Sequence, residues 1–361
     1  MNKDKSELYQ LRRQVDDINA RLLTLLNERA AVTEQIGHVK SRMGLPFYDP
    51  EREAEMLQAL EQANRGPFSN ETISHLFKQI FSATLAMEES EARATLLVQR
   101  KSPSENTIIE LPDGSTIGGD TFQVIAGSCA VENFEQMDAV GEVLAGHNIS
   151  LMRGMAYKPR TSPYSFQGLG EAGLKIARQV ANKYGMSVTS EILDASQITL
   201  MADYVDVFWV GARNMYNSYL LRALGRVRQP VILKRSFGAT LEEFLYAAEY
   251  IVSSGNPNVI LIERGIRTFE RWTRNTLDIS AIPLLKQETH LPVIVDISHS
   301  AGRRDIAEPL ARIVKASGAD GLMVEVHPNP PIALSDAQQQ LNFEEFATLM
   351  AAIQQIEQSP T

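Results

Sequence analysis

Residues 122–154 read FQVIAGSCAVENFEQMDAVGEVLAGHNISLMRG. An apolar run, FQVIAG, is followed by a helical stretch and then by a second apolar run, ISLMRG. Working outward, the pattern recurs in MSVTSE (186–191), VDVFWVGAR (205–213), PVILKR (230–235), NVILIERG (258–265), PVIVDISH (292–299) and GLMVEVH (321–327). Eight strand runs alternating with helices predict an α/β fold, a (β/α)8 barrel. The runs end in, or are followed within a few residues by, Cys129, Arg153, Glu191, Arg213, Lys234, Arg264, His299 and Glu325. These are the C-terminal strand ends, where barrel enzymes keep their chemistry.

Taken singly, each of these residues has an ordinary structural explanation: a lone cysteine is a small buried apolar residue, and a cation after a strand pairs with an acid. Together, four cations, a thiol, an imidazole and carboxylates on one rim suit a phosphorylated, carboxylated substrate and a divalent metal. Mixed Cys, His, Glu and Asp ligands do not distinguish Mn, Fe, Co and Zn. The stretch RGMAYKPRTSPYSFQGLG (153–170) adds Lys158, Arg160, Thr161 and Ser162, with Pro159, Pro163, Gly168 and Gly170 keeping it out of a helix. Such a loop is either a solvated basic turn or a receptor for phosphate oxygens, bound by a guanidinium fork, hydroxyls and a compact ammonium.

Ahead of the barrel, Leu11, Val15, Ile18, Leu22, Leu25, Val32, Ile36 and Val39 form the stripe of a long amphipathic helix. The stripe is interrupted at Arg29. Lys40 lies about 20° away around the axis and roughly 16 Å along it, so two long cations share one face and can clamp a small dianion. Arg12 stands about 100° off that face and serves a neighbouring chain's site more easily than its own. Asp49, Arg52 and Glu53 open a second helix, and a third is expected from Glu71 to Leu97. A helical bundle with snorkelling cations on its flanks would read similarly. Residues 1–97 are therefore expected as an all-helical domain, 98–106 as a polar linker and 107–361 as the barrel domain.

The net charge of -9 argues against a nucleic-acid partner. The single cysteine, Cys129, suits a reducing compartment, and no apolar run reaches the roughly 20 residues that span a bilayer. A cytoplasmic protein with no membrane partner is expected.

The second segment resembles the type I beta 3-deoxy-D-arabino-heptulosonate 7-phosphate (DAHP) synthases. The resemblance rests on GSCAVE (127–132), YKPRTSPYSFQGLG (157–170), GARNM (211–215), ERGIRTFE (263–270), TRNTLD (273–278), VDISHSAGRRD (295–305) and EVHPNPPIALSDAQQQL (325–341). It implies metal ligands at Cys129, His299, Glu325 and Asp336. It implies phosphoenolpyruvate cations at Arg153, Lys158, Arg213, Lys234 and Arg264, and erythrose 4-phosphate contacts at Arg160 and Thr161. In the implied aldol-type reaction the metal polarises the aldehyde, carbon 3 of phosphoenolpyruvate attacks it, water adds at carbon 2 and phosphate leaves.

LRRQVDDINARLLTLLNER (11–29), IGHVK (36–40) and YDPERE (48–53) resemble the all-helical chorismate mutases. That likeness implies an intertwined dimer whose site is lined by Arg12, Arg29, Lys40, Asp49, Arg52, Glu53 and Glu88. It implies rearrangement of chorismate to prephenate, which needs only cations placed where charge develops, and feedback sensing by the same domain. A homodimer or homotetramer is expected. The alternative is a noncatalytic dimerisation and ligand-binding module attached to a barrel whose acceptor has changed.

Several positions depart from these patterns. Glu88 stands where glutamine is usual, Ser128 where proline is usual, and Met155, Trp209, Tyr216, Ser236 and Ile262 where smaller residues are usual. Strand alternation points Trp209 and Ile262 into the barrel, where added volume is either repacked or narrows the pocket. Glu88 helps a developing ether oxygen only when protonated, because an ionised carboxylate accepts hydrogen bonds and donates none. Mutase activity is therefore expected to fall as pH rises through the Glu88 pKa and to lose that dependence in Glu88→Gln. A flat profile from mildly acid to neutral pH in the unsubstituted protein would refute this.

Overall fold

The computed structural model describes residues 2–43, 45–94, 96–160 and 162–356. The chain divides into two compact units, Met1–Leu96 and Leu97–Thr361.

The first unit is three helices: α1 (Asn2–Met43), α2 (Pro50–Ala63) and α3 (Asn70–Ala94), with α3 packed on both others. The third helix thus ends short of the expected Leu97. Asp49 caps α2 by accepting from the Arg52 N–H at 3.0 Å, and Pro50 takes the first-turn position where its missing N–H costs nothing. Much of the α1 stripe is exposed, Leu11, Val15 and Ile18 each by about half their surface.

The second unit opens with an antiparallel pair, β1 (Ile109–Glu110) and β2 (Thr116–Ile117). Eight parallel strands follow: β3 (Gln123–Gly127), β4 (Leu151–Arg153), β5 (Ser187–Ile192), β6 (Val207–Val210), β7 (Val231–Lys234), β8 (Val259–Glu263), β9 (Val293–Asp296) and β10 (Gly321–Glu325). They close as a barrel with β10 paired to β3. All eight expected strand runs are present. Residues 98–106, expected as a linker, are tied to this unit: Val98 is buried, its N–H donates to Glu249, and the Arg100 N–H donates to the Glu288 carbonyl at 3.0 Å. These bonds reach residues far away in sequence, so periodicity carries no trace of them. Among the described residues no helix is long and apolar enough to cross a membrane.

Strand alternation fills the barrel interior with Ile125, Leu151, Ile232, Ile260, Ile294 and Met323. Ile109, Leu111 and Ile117 join this cluster, so the β1–β2 hairpin covers the N-terminal end. Met155, Trp209 and Ile262 belong to the same core, each at most 2 % exposed. The inward orientation expected of Trp209 and Ile262 is found. Tyr216 instead sits on the surface, its hydroxyl 3.3 Å from Glu243. Met155 fills core volume and does not narrow a cavity, so Met155→Gly should lower stability by about 3 kcal/mol or more, without the large gain in activity that a narrowed site would give. Chemical denaturation and a turnover assay on the same preparation check both halves.

Candidate active site

At the C-terminal end of the barrel a cavity of about 300 Å³ is lined by Lys158, Arg160, Arg213, Lys234 and Arg264, with Glu191, Trp209, Phe237, Arg274, His299 and Asp336. Fully buried behind it are Arg153, Cys129 and Glu325. Gly127 makes this possible: a Cβ there would lie 2.4 Å from the Arg153 carbonyl oxygen, at a φ of +140° that side chains rarely adopt. Thr161 lies outside the described residues.

Cys129, Glu325 and Asp336 bring one potential ligand atom each within 4.8 Å of one another. His299 Nε2 is 3.6 Å from Glu325 Oε1 and 3.8 Å from Asp336 Oδ2, so all four expected metal ligands converge. Asp296 caps the short helix Ile297–Ala301 through the His299 N–H at 2.9 Å, and its other oxygen lies 2.8 Å from His299 Nδ1. That contact turns Nε2 toward the cluster, an outer-shell arrangement common around metal-binding imidazoles. Gln339 donates to Glu325 Oε2 at 2.6 Å, while buried Glu325 Oε1 is ion-paired with Arg153 Nη2 at 2.7 Å without an aligned hydrogen bond from the described residues. A thiol, an imidazole and two carboxylates facing one another fit a cation, and the sulfur and nitrogen donors suit a transition metal better than Mg or Ca. Burial and neighbouring Glu325 push the Cys129 thiol up to about 12, so it gives up its proton only to a strong cation. Burial also opposes ionisation of Asp336, but His299 and Arg274 outweigh it and hold the carboxyl well below its usual range. Asp336 adopts a left-handed backbone, φ +49°, uncommon for a residue other than glycine.

Ser128, where proline was the expectation, restrains the cysteine differently. Its hydroxyl donates to the Val326 carbonyl at 3.0 Å and receives the Gln136 amide, while Gln340 accepts from the Cys129 N–H at 3.0 Å. Hydrogen bonds thus supply the rigidity a ring would have given.

The cations surround the other side of the cavity. Lys158 Nζ is 3.1 Å from Cys129 Sγ and 2.7 Å from its carbonyl. Arg153 Nη2 lies 2.7 Å from Glu325, yet its buried Nε and Nη1 have no hydrogen-bond partner among the described residues. Arg160 donates to Ser335 and to the Phe166 carbonyl. Arg213, Arg264 and Arg267 stand over the Phe237 ring, at 5.7, 4.7 and 5.3 Å from its centroid. Lys234 pairs with Asp296. Trp209, Phe237 and Arg274 were not among the expected site residues, and Asp296 and Glu191 carried no assigned role. The motif VDISH held a signal for Asp296, a carboxylate three residues before an imidazole, whereas the Phe237 contacts depend on loops meeting in space. Burial raises the Glu191 pKa, an effect that Lys158, Lys234 and Arg213 only partly offset.

In the helical unit a cavity of about 820 Å³ brings together Arg29, Lys40, Asp49, Arg52, Glu53 and Glu88. Arg29 is fixed by a 3.1 Å bond to Thr84 and by the Phe81 ring, and Lys40 by the Phe47 carbonyl at 2.7 Å. Glu88 is buried against Gly37, where an added Cβ would come within 3.1 Å of its carboxylate. Arg12 does not line this cavity, in keeping with its offset from the Arg29 and Lys40 face.

The fold and this constellation define a metal-assisted barrel enzyme acting on phosphorylated anions, joined to a helical anion-binding unit. Residues 103–359 match the DAHP synthetase I family, and the chain belongs to it. Residues 11–89 match chorismate mutase type II. The chain is 51 % identical over 260 residues to the phospho-2-dehydro-3-deoxyheptonate aldolase of Thermotoga maritima, covering 72 % of this chain and 77 % of that protein. The crystal structure of the Thermotoga maritima DAHP synthase superposes with a TM-score of 0.69 at 51 % identity, over 72 % of this chain and 76 % of that one. A 2-dehydro-3-deoxyphosphooctonate aldolase from Desulfosudis oleivorans is 30 % identical over 70 % of this chain and 96 % of its own length. The protein is thus an enzyme, with a DAHP synthase domain and a chorismate mutase domain.

Burial lowers the Lys234 pKa to about 8 despite the opposing pull of Asp296. A lysine with a lowered pKa is charged below that pH and neutral above it. The KM for an anionic substrate held by Lys234 should therefore rise as pH passes about 8, which initial rates between pH 7 and 9 will test.

Proposed function

We propose that the barrel condenses phosphoenolpyruvate with erythrose 4-phosphate, giving DAHP and phosphate, and that the helical unit rearranges chorismate to prephenate. The observation that carries the first half is one cavity whose wall holds Lys158, Arg160, Arg213, Lys234, Arg264 and Arg274 together with His299 and Asp336, with Arg153, Cys129 and Glu325 buried behind it. Arg153, Lys158, Arg213, Lys234 and Arg264 neutralise the phosphate and carboxylate of phosphoenolpyruvate. Arg160 receives the phosphate of the aldehyde, with Thr161 beside it in sequence. The four ligands hold a divalent metal, which supplies Lewis-acid polarisation of the aldehyde oxygen when bound. Lys158, between Cys129 and the cavity, is in reach to move a proton as the new carbon–carbon bond forms.

In the helical unit Arg29 and Lys40 flank the cavity and take the two carboxylates of chorismate. Asp49 and Arg52 serve α2 through its cap and through the Arg52–Glu55 pair, and Glu53 stands with them at the cavity edge. Arg12 completes the site of a second copy, whose apolar helix covers the exposed stripe of α1. A homodimer, or a homotetramer built from it, follows. Buried Glu88 in the cavity wall favours a second reading, in which this unit binds chorismate or prephenate as a feedback signal without turning it over. A chorismate consumption assay separates the two.

Metal-stripped protein should release no phosphate from phosphoenolpyruvate plus erythrose 4-phosphate, and added manganese should restore release. Folded protein that stays inactive with each of manganese, iron, cobalt and zinc would rule the synthase reading out.

A further inference from the structure

Trp209 is 2 % exposed, forms part of the cavity wall and packs on the barrel core. Its ring is shared by two cations: Lys234 Nζ lies 3.9 Å from the centroid and the Arg153 guanidinium carbon 4.9 Å. Both cations are buried, and each touches a carboxylate, Asp296 for Lys234 and Glu325 for Arg153. The indole Nε1 is buried with no hydrogen-bond partner among the described residues, so the contribution of Trp209 here is its π face and its volume. A desolvated cation over an indole face is attracted by the ring quadrupole without losing its hydrogen-bond donors to a carboxylate. The Nε and Nη1 of Arg153 have no hydrogen-bond partner among the described residues.

We infer that Trp209 is a positioning residue for phosphoenolpyruvate, its indole holding the Arg153 and Lys234 charges on one platform so that their remaining donors face the substrate phosphate and carboxylate. The inference rests on the phosphoenolpyruvate reading of the barrel and adds a residue to it. Glutamine, which stands here in the resembling synthases, offers an amide and no π face. In this chain the extra volume is therefore part of the substrate site as well as of the core.

The chain has two tryptophans, and the other, Trp272, is exposed. In the full-length manganese-loaded Trp272→Phe protein, titration with phosphoenolpyruvate alone should change Trp209 emission saturably, with a midpoint near the KM. Trp209→Leu should raise the KM for phosphoenolpyruvate about tenfold, the scale expected when cation–π contacts to two buried cations are lost. It should leave the KM for erythrose 4-phosphate within about twofold, while Trp209→Phe, which keeps a ring, should hold the phosphoenolpyruvate KM within about threefold. Equal effects of Leu and Phe, or equal rises in both KM values, would overturn the assignment. So would emission indifferent to phosphoenolpyruvate in protein that still releases phosphate, a result that needs no substitution of Trp209. Absence of phosphate release from the unsubstituted manganese-loaded protein would instead sink the substrate reading, and the inference with it.

Discussion

A guanidinium with 1 % of its surface exposed is held at the end of β4 by a carboxylate at the end of β10. Burying either charge alone is costly, so Arg153 and Glu325 each require the other, and the pair requires β4 and β10 to sit on either side of β3 in register. Much of the site follows from this constraint. Gly127 has to be glycine because β3 passes between them. Gln339 braces the second oxygen of Glu325, which pins the loop that brings Asp336 back over the barrel. The pair also joins the two functions of the cavity, because Arg153 belongs with the anion-binding cations while Glu325 belongs with the metal ligands.

A second buried pair repeats the arrangement one step away. Lys234 on β7 meets Asp296 on β9, and Asp296 orients His299. Two of the cations for the anionic substrate are thus tied to the metal cluster, Arg153 directly by Glu325 and Lys234 through Asp296 to His299. Phe237 plays a complementary part, gathering the guanidiniums of Arg213, Arg264 and Arg267 on one ring. Carboxylates there would compete for the donors that a phosphate needs.

The strand runs, the barrel and the convergence of Cys129, Arg153, His299 and Glu325 were legible in the sequence because period-2 burial and strand-end position are local signals. Asp336 was legible only through resemblance, since it arrives on a loop with a left-handed backbone. The attachment of residues 98–106 to the barrel and the hydrogen bonds that replace a proline at Ser128 were not legible. Both depend on partners such as Glu249, Glu288 and Val326, which lie far along the chain. Alternation gave the inward direction of Trp209 and its place beneath the substrate cations, but not that Arg153 and Lys234 are the two that meet its ring. In the helical unit the spacing of Arg29 and Lys40 foretold a shared cavity, and the offset of Arg12 foretold its absence from that cavity.

The hairpin of β1 and β2 closes one end of the barrel, so depth in the site is measured from the other. Ile109, Leu111 and Ile117 cover the N-terminal end, and the described cavity opens at the C-terminal end. The charges of Arg153, Lys234 and Arg264 lie deep, each no more than 3 % exposed, and Arg160 is less buried. A group gripped by Arg153 and Lys234 therefore sits farther from solvent than one gripped by Arg160.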